Sequence, residues 1–531
     1  MENLALLRPY TITSDGCTEY SSSVCEKGRK DILTDGRYGD TKDYYSGRWA
    51  HFVRGLGRNI TVDLGRKCKI DSVKMSFIQE KEPKIFCPEF LTVYLSNDNN
   101  GFFRACTVAK PISNTQKENA RAEYICNING YTARYVRVNF DVQNNLFTDE
   151  IEIYGSEDTQ NGREITPSFF DDRKEKEYFD SGRQTGAKDI MCFHNGYNPK
   201  DPTRVNNTRA MFKPYLGYVD ENGNYIDTMY DAIMFLTLKG QCPSGGSFTS
   251  SGGPTLLSDW EYLLDNTFKD NINVSAIDEE TGEMKKVLNL SDDYKTGIYL
   301  TVPYPKISDL VVGDYRRNGR NEKISSKDDC VDAYRYYVSE SKKRFCEKHY
   351  KNVSFKGFFW FNESIDNHER DYETEITPKC VNAAHEYGLQ VIFIPSWQAP
   401  GSQRAWEMGF DSVIMQPNLS FMEFAQRDPE AFMNDFVKTA KKYHFGMQAE
   451  MKENMEFAEP KYRKYYLQYL KSGAESGIMT DAVHAYYQGA GKTSSIIQCA
   501  YSKNKEVRRL YDLTYKFIKG KLDPREVFEN I

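Results

Sequence analysis

The feature that most constrains the fold is the recurrence of eight short apolar runs between residues 189 and 481. Helical patterns separate most of these runs, for example over residues 327–350, 377–387 and 429–443. Buried strands that alternate with helices are typical of a parallel sheet, and eight such units close into a (β/α)8 barrel. We predict the barrel strands over residues 189–194, 230–236, 297–303, 357–363, 390–395, 411–416, 445–450 and 476–481.

The first 156 residues have a different pattern. Short alternating strands, such as residues 60–65, 70–75 and 91–96, are separated by Gly, Asn and Asp turns. This spacing favours a β-sandwich. We therefore predict a sandwich over residues 1–156, a polar linker over 157–172 and the barrel over 173–531, a division that suits a chain of 531 residues.

Composition excludes several function classes. The chain has 70 Lys and Arg against 76 Asp and Glu, a net charge of -6, and it lacks a long basic run, so nothing favours a nucleic-acid partner. No run approaches the roughly 20 apolar residues of a membrane span. We find neither a Walker loop nor a dinucleotide fingerprint nor a His-Glu-x-x-His motif, and expect no catalytic cofactor.

The cysteines and the amino terminus bear on the compartment. The twelve cysteines form no Cys-x-x-Cys pair and no zinc spacing, so we expect most to be free thiols. The first eight residues lack the basic start and apolar stretch of a secretion signal. We expect a cytoplasmic protein as the chain stands, or an extracellular one if a leader was removed, and predict no oligomeric state.

The residues at the carboxyl ends of the predicted strands are the candidate site. In (β/α)8 enzymes the chemistry lies at these ends. They are polar and aromatic here, as a sugar-binding cleft would be. The candidates are His194, Tyr304, Asn362, Glu363, Trp397, Gln416, Asn418, Glu450, Asp481, Tyr486 and Tyr487.

Two of these candidates, Glu363 and Glu450, end the apolar strands four and seven. Burying a charge is costly unless it is paired or used, so two carboxyls here suggest acid/base chemistry on a sugar. Hydrolysis with retention needs two carboxyls about 5–5.5 Å apart. We predict that Glu363, which follows the apolar residues Phe358 to Phe361, is the acid/base, because desolvation and a neighbouring negative charge both raise the pKa of a carboxyl, and that Glu450 is the nucleophile. The alternative is a catalytically inactive, carbohydrate-binding or adhesion protein.

The amino-terminal region resembles the discoidin, or coagulation-factor type C, domain. The resemblance rests on residues 33–36, on Trp49 and on residues 60–65, 133–138 and 150–155. It implies a jelly roll that binds an oligosaccharide or polysaccharide through loops at one end, or one that braces the barrel. It also implies a structural calcium near Asp35 and Gly36, although Asp-Gly is equally a common turn.

The barrel region resembles two families. Asn362-Glu363 with Glu450 is similar to the superfamily of retaining glycosidases whose acid/base and nucleophile end strands four and seven. The same region resembles the bacterial domain of unknown function 4855, over about residues 165 to 515, in its residues 299–305, 357–363, 394–397, 409–411, 416–418 and 446–450. That resemblance implies a second acid two positions after Glu450, where this chain has Lys452.

Overall fold

The computed structural model describes residues 2–14, 32–113, 118–166, 178–365, 372–491 and 494–529. The chain divides into two compact units. One comprises Met1–Glu177 with Ser364–Thr374 and Gln398–Gln403, and the other comprises Tyr178–Glu363, Glu375–Trp397 and Arg404–Ile531. The predicted linker runs into residues 167–172, which lie outside the described ranges, so that boundary stays a prediction.

The described residues of the amino-terminal unit form a β-sandwich of seven strands, joined by antiparallel pairing except for one short parallel strand at the end. Their bounds are β1 (Glu2–Asn3), β2 (Tyr10–Ser14), β3 (Ala50–Gln79), β4 (Phe90–Ser96), β5 (Phe103–Ala109), β6 (Ala120–Ser156) and β7 (Arg163–Glu164).

Two long strands build both layers of this sandwich. The first part of β3 pairs with residues 135–148 of β6, and its second part pairs with β6 on both sides, so that Ile70 faces both Tyr131 and Gly155. The apolar side chains that alternate along these strands, such as Ile60, Val62 and Val136, form one buried core. The predicted β-sandwich is confirmed.

The second unit contains a closed barrel of eight parallel strands, each paired with the next. In chain order they are β8 (Asp189–Asn195), β11 (Ala232–Thr237), β12 (Thr296–Val302), β15 (Val353–Trp360), β16 (Gln390–Phe393), β17 (Ser412–Met415), β18 (Gly446–Glu450) and β19 (His484–Tyr487). The predicted (β/α)8 barrel is confirmed.

Helices and two small hairpins surround the barrel. The hairpins are β9 (Gly217–Val219) with β10 (Tyr225–Thr228) and β13 (Val311–Gly313) with β14 (Glu322–Lys323). The helices are α1 (Arg209–Leu216), α2 (Leu257–Thr267), α3 (Asn273–Leu288), α4 (Lys327–Glu347), α5 (Glu373–His385), α6 (Glu423–Arg427), α7 (Pro429–Tyr443), α8 (Pro460–Ser476), α9 (Ile478–Asp481), α10 (Ser495–Tyr501) and α11 (Lys505–Ile518).

Strand parity decides which side chains face the barrel interior. A bulge at the start of β15 sets that parity for the fourth strand: the register shifts by one residue between Phe355 and Gly357. Gly357 has φ 155°, and a Cβ there would lie 2.0 Å from the Gln390 carbonyl oxygen. Phe359 consequently belongs to the interior cluster, and the same alternation directs Glu363 to the mouth.

The eighth strand is the one incorrectly predicted barrel strand. Residues 476–481 span the end of α8 and the short helix α9, and the strand is His484–Tyr487 instead. The left-handed conformation of Gly477, φ 90°, ends α8 before a second helical turn begins. Ile478 and Met479 are buried under the barrel, which explains their apolar, strand-like appearance.

Other expectations concern cysteines and membranes. The ten cysteines within the described ranges are all free thiols, and Cys17 and Cys25 lie outside those ranges. None of the helices described by the structure is both long enough and apolar enough to cross a membrane.

Candidate active site

A cavity of about 320 Å³ opens at the carboxyl ends of the barrel strands. Its base is apolar and includes Cys192, Met234 and Phe359, all from the interior cluster of the barrel. Two acids, Glu363 and Glu450, lie in its wall. The remaining wall residues are His194, Leu236, Thr237, Phe361, Ile394, Gln416, Asn418, Phe421, Gln448 and Tyr487.

Glu450, the last residue of β18, is held by its neighbours. Its side chain is 1% exposed. Tyr469 in α8 donates its hydroxyl hydrogen to Glu450 Oε2 over 2.6 Å. The Asn418 amide, in the orientation that satisfies its neighbours, donates from its nitrogen to Glu450 Oε1 over 3.0 Å and accepts from the Trp397 backbone N–H. These two donors fix both carboxyl oxygens.

Burial raises the pKa of Glu450 from its ordinary value of 4.5 to about 8. The Tyr469 hydrogen bond opposes this rise, the negative charge of Glu363 adds to it, and a hydrogen bond from the Asn418 backbone N–H opposes it. Glu450 is therefore protonated at neutral pH in the free protein. Because sequence reasoning made Glu363 the carboxyl with the raised pKa, this is a difference between the expectation and the structure.

Glu363 has the opposite environment. It lies three residues beyond β15, and its side chain is exposed at the mouth of the cavity. Its backbone is fixed, since Ser396 N–H donates to the Glu363 carbonyl oxygen over 3.0 Å. The apolar run Phe358 to Phe361 precedes Glu363 but does not bury it. The cavity thus carries one enclosed and one solvent-accessible carboxyl.

Four other predicted site residues lie in the cavity wall: His194, Gln416, Asn418 and Tyr487. His194 is 8% exposed, and burial, helped by the charge of Arg204, lowers its pKa to about 4. It is therefore neutral near pH 7. Burial raises the pKa of Tyr487 to about 12, so that its hydroxyl is also neutral.

Five predicted residues lie outside the described cavity wall. Asn362 is 7% exposed beside Glu363. Trp397 packs against Phe432 and Phe436, and Tyr304 lies edge-on to Trp360.

Asp481 and Tyr486 were placed by an incorrect eighth strand. Asp481 ends α9 on the opposite, amino-terminal side of that strand and is exposed there, so its predicted position at the mouth is wrong. Tyr486 has the outward parity, opposite to Tyr487, and its hydroxyl donates to Asp189 Oδ1 over 2.8 Å. Tyr486 is a buried structural residue, whereas its neighbour Tyr487 faces the cavity.

Sequence reasoning missed Gln448 and Tyr469. Gln448 precedes Glu450 by two positions and shares its inward face, so strand periodicity contained the signal. Tyr469 lies 19 residues after Glu450 on a helix. Its helical spacing indicates only a buried face, because neighbouring Tyr466 and Leu470 are buried in the same way.

Lys452, which replaces an expected acid, does not line the cavity. Its ammonium nitrogen lies 3.6 Å from the centre of the Tyr462 ring, a cation–π contact in the segment after β18. Both glutamates, Glu363 and Glu450, line the cavity although this chain has Lys452 in place of the expected acid.

The predicted calcium position lies in the sandwich. Gly36 N–H donates to Glu150 Oε1 over 3.1 Å, and Asp35 Oδ2 lies 3.7 Å from Arg48 Nη1. Glu150 Oε2 is buried without a hydrogen bond. Within the described ranges, no group of three or more His, Cys, Asp and Glu side chains could hold a metal, so backbone carbonyls would have to complete this site.

Solved structures similar to this chain include three small modules. One is chitosan-binding module 1 of a chitosanase/glucanase from Paenibacillus sp. IK-5, with 20% identity over 29% of this chain and 100% of that chain, at a TM-score of 0.20. A Streptococcus pneumoniae fucose binding module has 18% identity over 29% of this chain and 96% of that chain, at a TM-score of 0.21. The carboxy-terminal domain of a chitobiase from Bacteroides fragilis has 13% identity over 28% and 93%, at 0.20.

TM-scores this low leave the role of the sandwich to be argued from its own residues. No curated protein matches the chain. A family model, however, matches residues 193–516. The match includes both glutamates of the cavity and every barrel strand, except that the first four residues of β8 precede it. That model describes a domain of unknown function, DUF4855, and the chain belongs to this family.

Proposed function

We propose that the protein is a glycoside hydrolase that cleaves its substrate with retention of configuration. The observation that carries the proposal is the pairing of Glu363 and Glu450 in one cavity at the carboxyl ends of the strands. Glycoside hydrolysis requires two carboxyl groups on the two sides of the scissile bond. The substrate is an oligosaccharide or polysaccharide, and the cavity takes one of its sugar units.

We assign Glu450 as the nucleophile and Glu363 as the acid/base. A nucleophile must be held in line with the anomeric carbon, and Glu450 is fixed through both oxygens by Tyr469 and Asn418. The acid/base gives a proton to the leaving group and takes one from water in the second step. The exposed Glu363 can exchange protons with solvent between these steps.

Glu450 carries a proton near neutral pH in the free protein, because burial raises its pKa to about 8. Attack by Glu450 requires the proton to be on Glu363 instead. Positive charge that develops at the anomeric carbon favours the ionised form of the carboxyl beside it, and so favours this transfer.

The proposal is tested with a panel of aryl glycosides and oligosaccharides and three variants. Glu450→Gln should abolish turnover of every substrate, and Glu363→Gln should abolish turnover of oligosaccharides and of aryl glycosides with poor leaving groups. Both variants should keep a melting temperature close to or above that of the wild type. Asp481→Asn is the matched control, since Asp481 is exposed on the opposite side of the barrel. An inactive wild-type protein that still binds oligosaccharides would favour the binding-only alternative.

We propose a second function of the protein, in which the sandwich binds glycan at an aromatic surface. Tyr45 is 77% exposed, and its ring centre lies 4.9 Å from that of Tyr44 and 5.6 Å from that of Phe147. An exposed, amphipathic ring supported by other rings suits stacking on a sugar. Tyr45→Ala should weaken glycan binding by the full chain, whereas Tyr262→Ala, which changes an exposed barrel tyrosine, should not.

A further inference from the structure

A lysine in the loop after the third barrel strand is buried among carbonyl oxygens. Lys306 is 5% exposed. Its ammonium group donates to the carbonyl oxygens of Ser247 and Gly253, each over 2.8 Å, and lies 3.2 Å from that of Gly252 and 3.3 Å from that of Ser251. Burying an ammonium is costly unless its hydrogen bonds are replaced, and these four oxygens replace them.

These contacts all lie in one loop, residues 247–253, which we call the clasped loop. Two backbone bonds fix its buried residue Phe248: its N–H donates to Gly240 O over 2.7 Å, and its carbonyl accepts from Tyr304 N–H over 2.8 Å. The carbonyls of the loop converge on a single cation. Without that cation the four carbonyl oxygens would face each other without a donor, and their mutual repulsion would open the loop.

The tip of the clasped loop contacts the candidate active site. Ser250 N–H donates to Asn362 Oδ1 over 3.0 Å, which makes the oxygen of this amide the acceptor and sets the direction of its nitrogen. Asn362 immediately precedes Glu363, whose carbonyl accepts from Ser396 N–H. The strand end that carries Glu363 is thus held on one side by the clasped loop and on the other by Ser396.

We propose that Lys306 is a positioning residue for the acid/base end of the site. Its ammonium group holds the clasped loop in the shape that brings Ser250 N–H to Asn362, and this contact orients the amide and the peptide that carries Glu363. The effect of Lys306 on the shape of the loop is independent of what the protein catalyses, whereas its effect on catalysis by Glu363 rests on the proposed function. Lys306 itself does not line the cavity.

Hydrogen exchange measured by mass spectrometry tests, without any substrate, whether the Lys306 ammonium group holds the clasped loop; we call this hold the clasp. Lys306→Met should accelerate amide exchange in peptides covering residues 240–254 by at least about tenfold, and should leave exchange in the barrel strands unchanged. Lys342→Met is the matched control, because Lys342 donates to a single carbonyl, that of Tyr387, over 2.5 Å. Should Lys306→Met not fold, Lys306→Gln, which keeps two donors, should show a smaller acceleration in the same peptides.

Kinetics tests the catalytic consequence. Lys306→Met should lower kcat/KM by about 10- to 100-fold for aryl glycosides with poor leaving groups and by much less for those with good ones. Only the poor leaving groups need a well-placed Glu363. Unchanged exchange in the clasped loop would overturn the clasp, and equal losses for both substrate classes would overturn the positioning role. If no glycoside is cleaved by the wild type, the proposed function fails while the exchange result still decides the clasp.

Discussion

The hydroxyl of Tyr469 donates to Glu450 Oε2 over 2.6 Å, and its oxygen accepts from the Leu419 backbone N–H over 2.8 Å. Tyr469 therefore connects three segments of the barrel: helix α8, the end of strand β18 and the loop after β17. This connection fixes the enclosed carboxyl of the cavity.

Tyr469→Phe should lower kcat by about 10- to 100-fold, since a hydrogen bond to a charged group contributes about 1.5–3 kcal/mol. Tyr466→Phe is the matched control: Tyr466 lies on the same helix, is equally buried, and shares its hydrogen bond with Thr514 instead. Both variants should lose similar stability in thermal unfolding. An equal loss of kcat in the two variants would assign the effect of Tyr469 to packing.

The pH dependence of kcat/KM should have an alkaline limb near pH 8. Glu450 carries the proton that the reaction uses, and its raised pKa, about 8, marks the loss of that proton. Activity should therefore fall as pH rises through about 8. Because the Tyr469 hydrogen bond lowers this pKa, Tyr469→Phe should move the limb to higher pH. If the alkaline limb does not move in Tyr469→Phe, it does not report the pKa of Glu450.

Alanine variants of the two glutamates should differ in kind. Glu450→Ala should be inactive but partly rescued by azide, which attacks the anomeric carbon in place of the carboxylate and gives a glycosyl azide of inverted configuration. Glu363→Ala should retain turnover of substrates with good leaving groups, because these need little protonation. The reverse pattern would exchange the two roles, and product analysis by NMR distinguishes them.

Calcium should raise the melting temperature, and EDTA should lower it. Glu150→Gln should remove this response, whereas Glu164→Gln, at an exposed glutamate paired with Lys67, should keep it. Burial raises the pKa of Glu150 to about 8, so calcium must displace a proton, and its affinity should increase as pH rises towards 8. A melting temperature that changes with neither calcium nor EDTA would exclude a structural calcium at this position.

Much of the barrel follows from sequence because strand periodicity carries the information. Phe359, Phe361 and Glu363 share one parity, as do Gln448 and Glu450, and each pattern is visible in the chain. The fold and the two glutamates are therefore predictable. The same reasoning fails at strand eight, where the buried residues Ile478 and Met479 belong to a short helix instead of a strand.

The environment of the carboxyls could not be predicted. Apolar neighbours along the strand suggested that Glu363 would be desolvated, yet it emerges beyond the strand end and is exposed. Glu450 is desolvated by residues distant in sequence, among them Tyr469 and Asn418. Burial at a barrel mouth depends on how loops and helices close over it, and local sequence does not encode this closure.

The most direct test of the central claim is covalent trapping of the nucleophile. Activated 2-deoxy-2-fluoro glycosides of several neutral sugars are incubated with the wild-type protein, and the labelled peptide is mapped by mass spectrometry. A fluorine at this position slows breakdown of the glycosyl-enzyme, so the adduct accumulates. We predict one sugar per chain, attached to Glu450, and no adduct in Glu450→Gln. An adduct on Glu363, or no adduct with a sugar whose aryl glycoside is cleaved, would contradict the account.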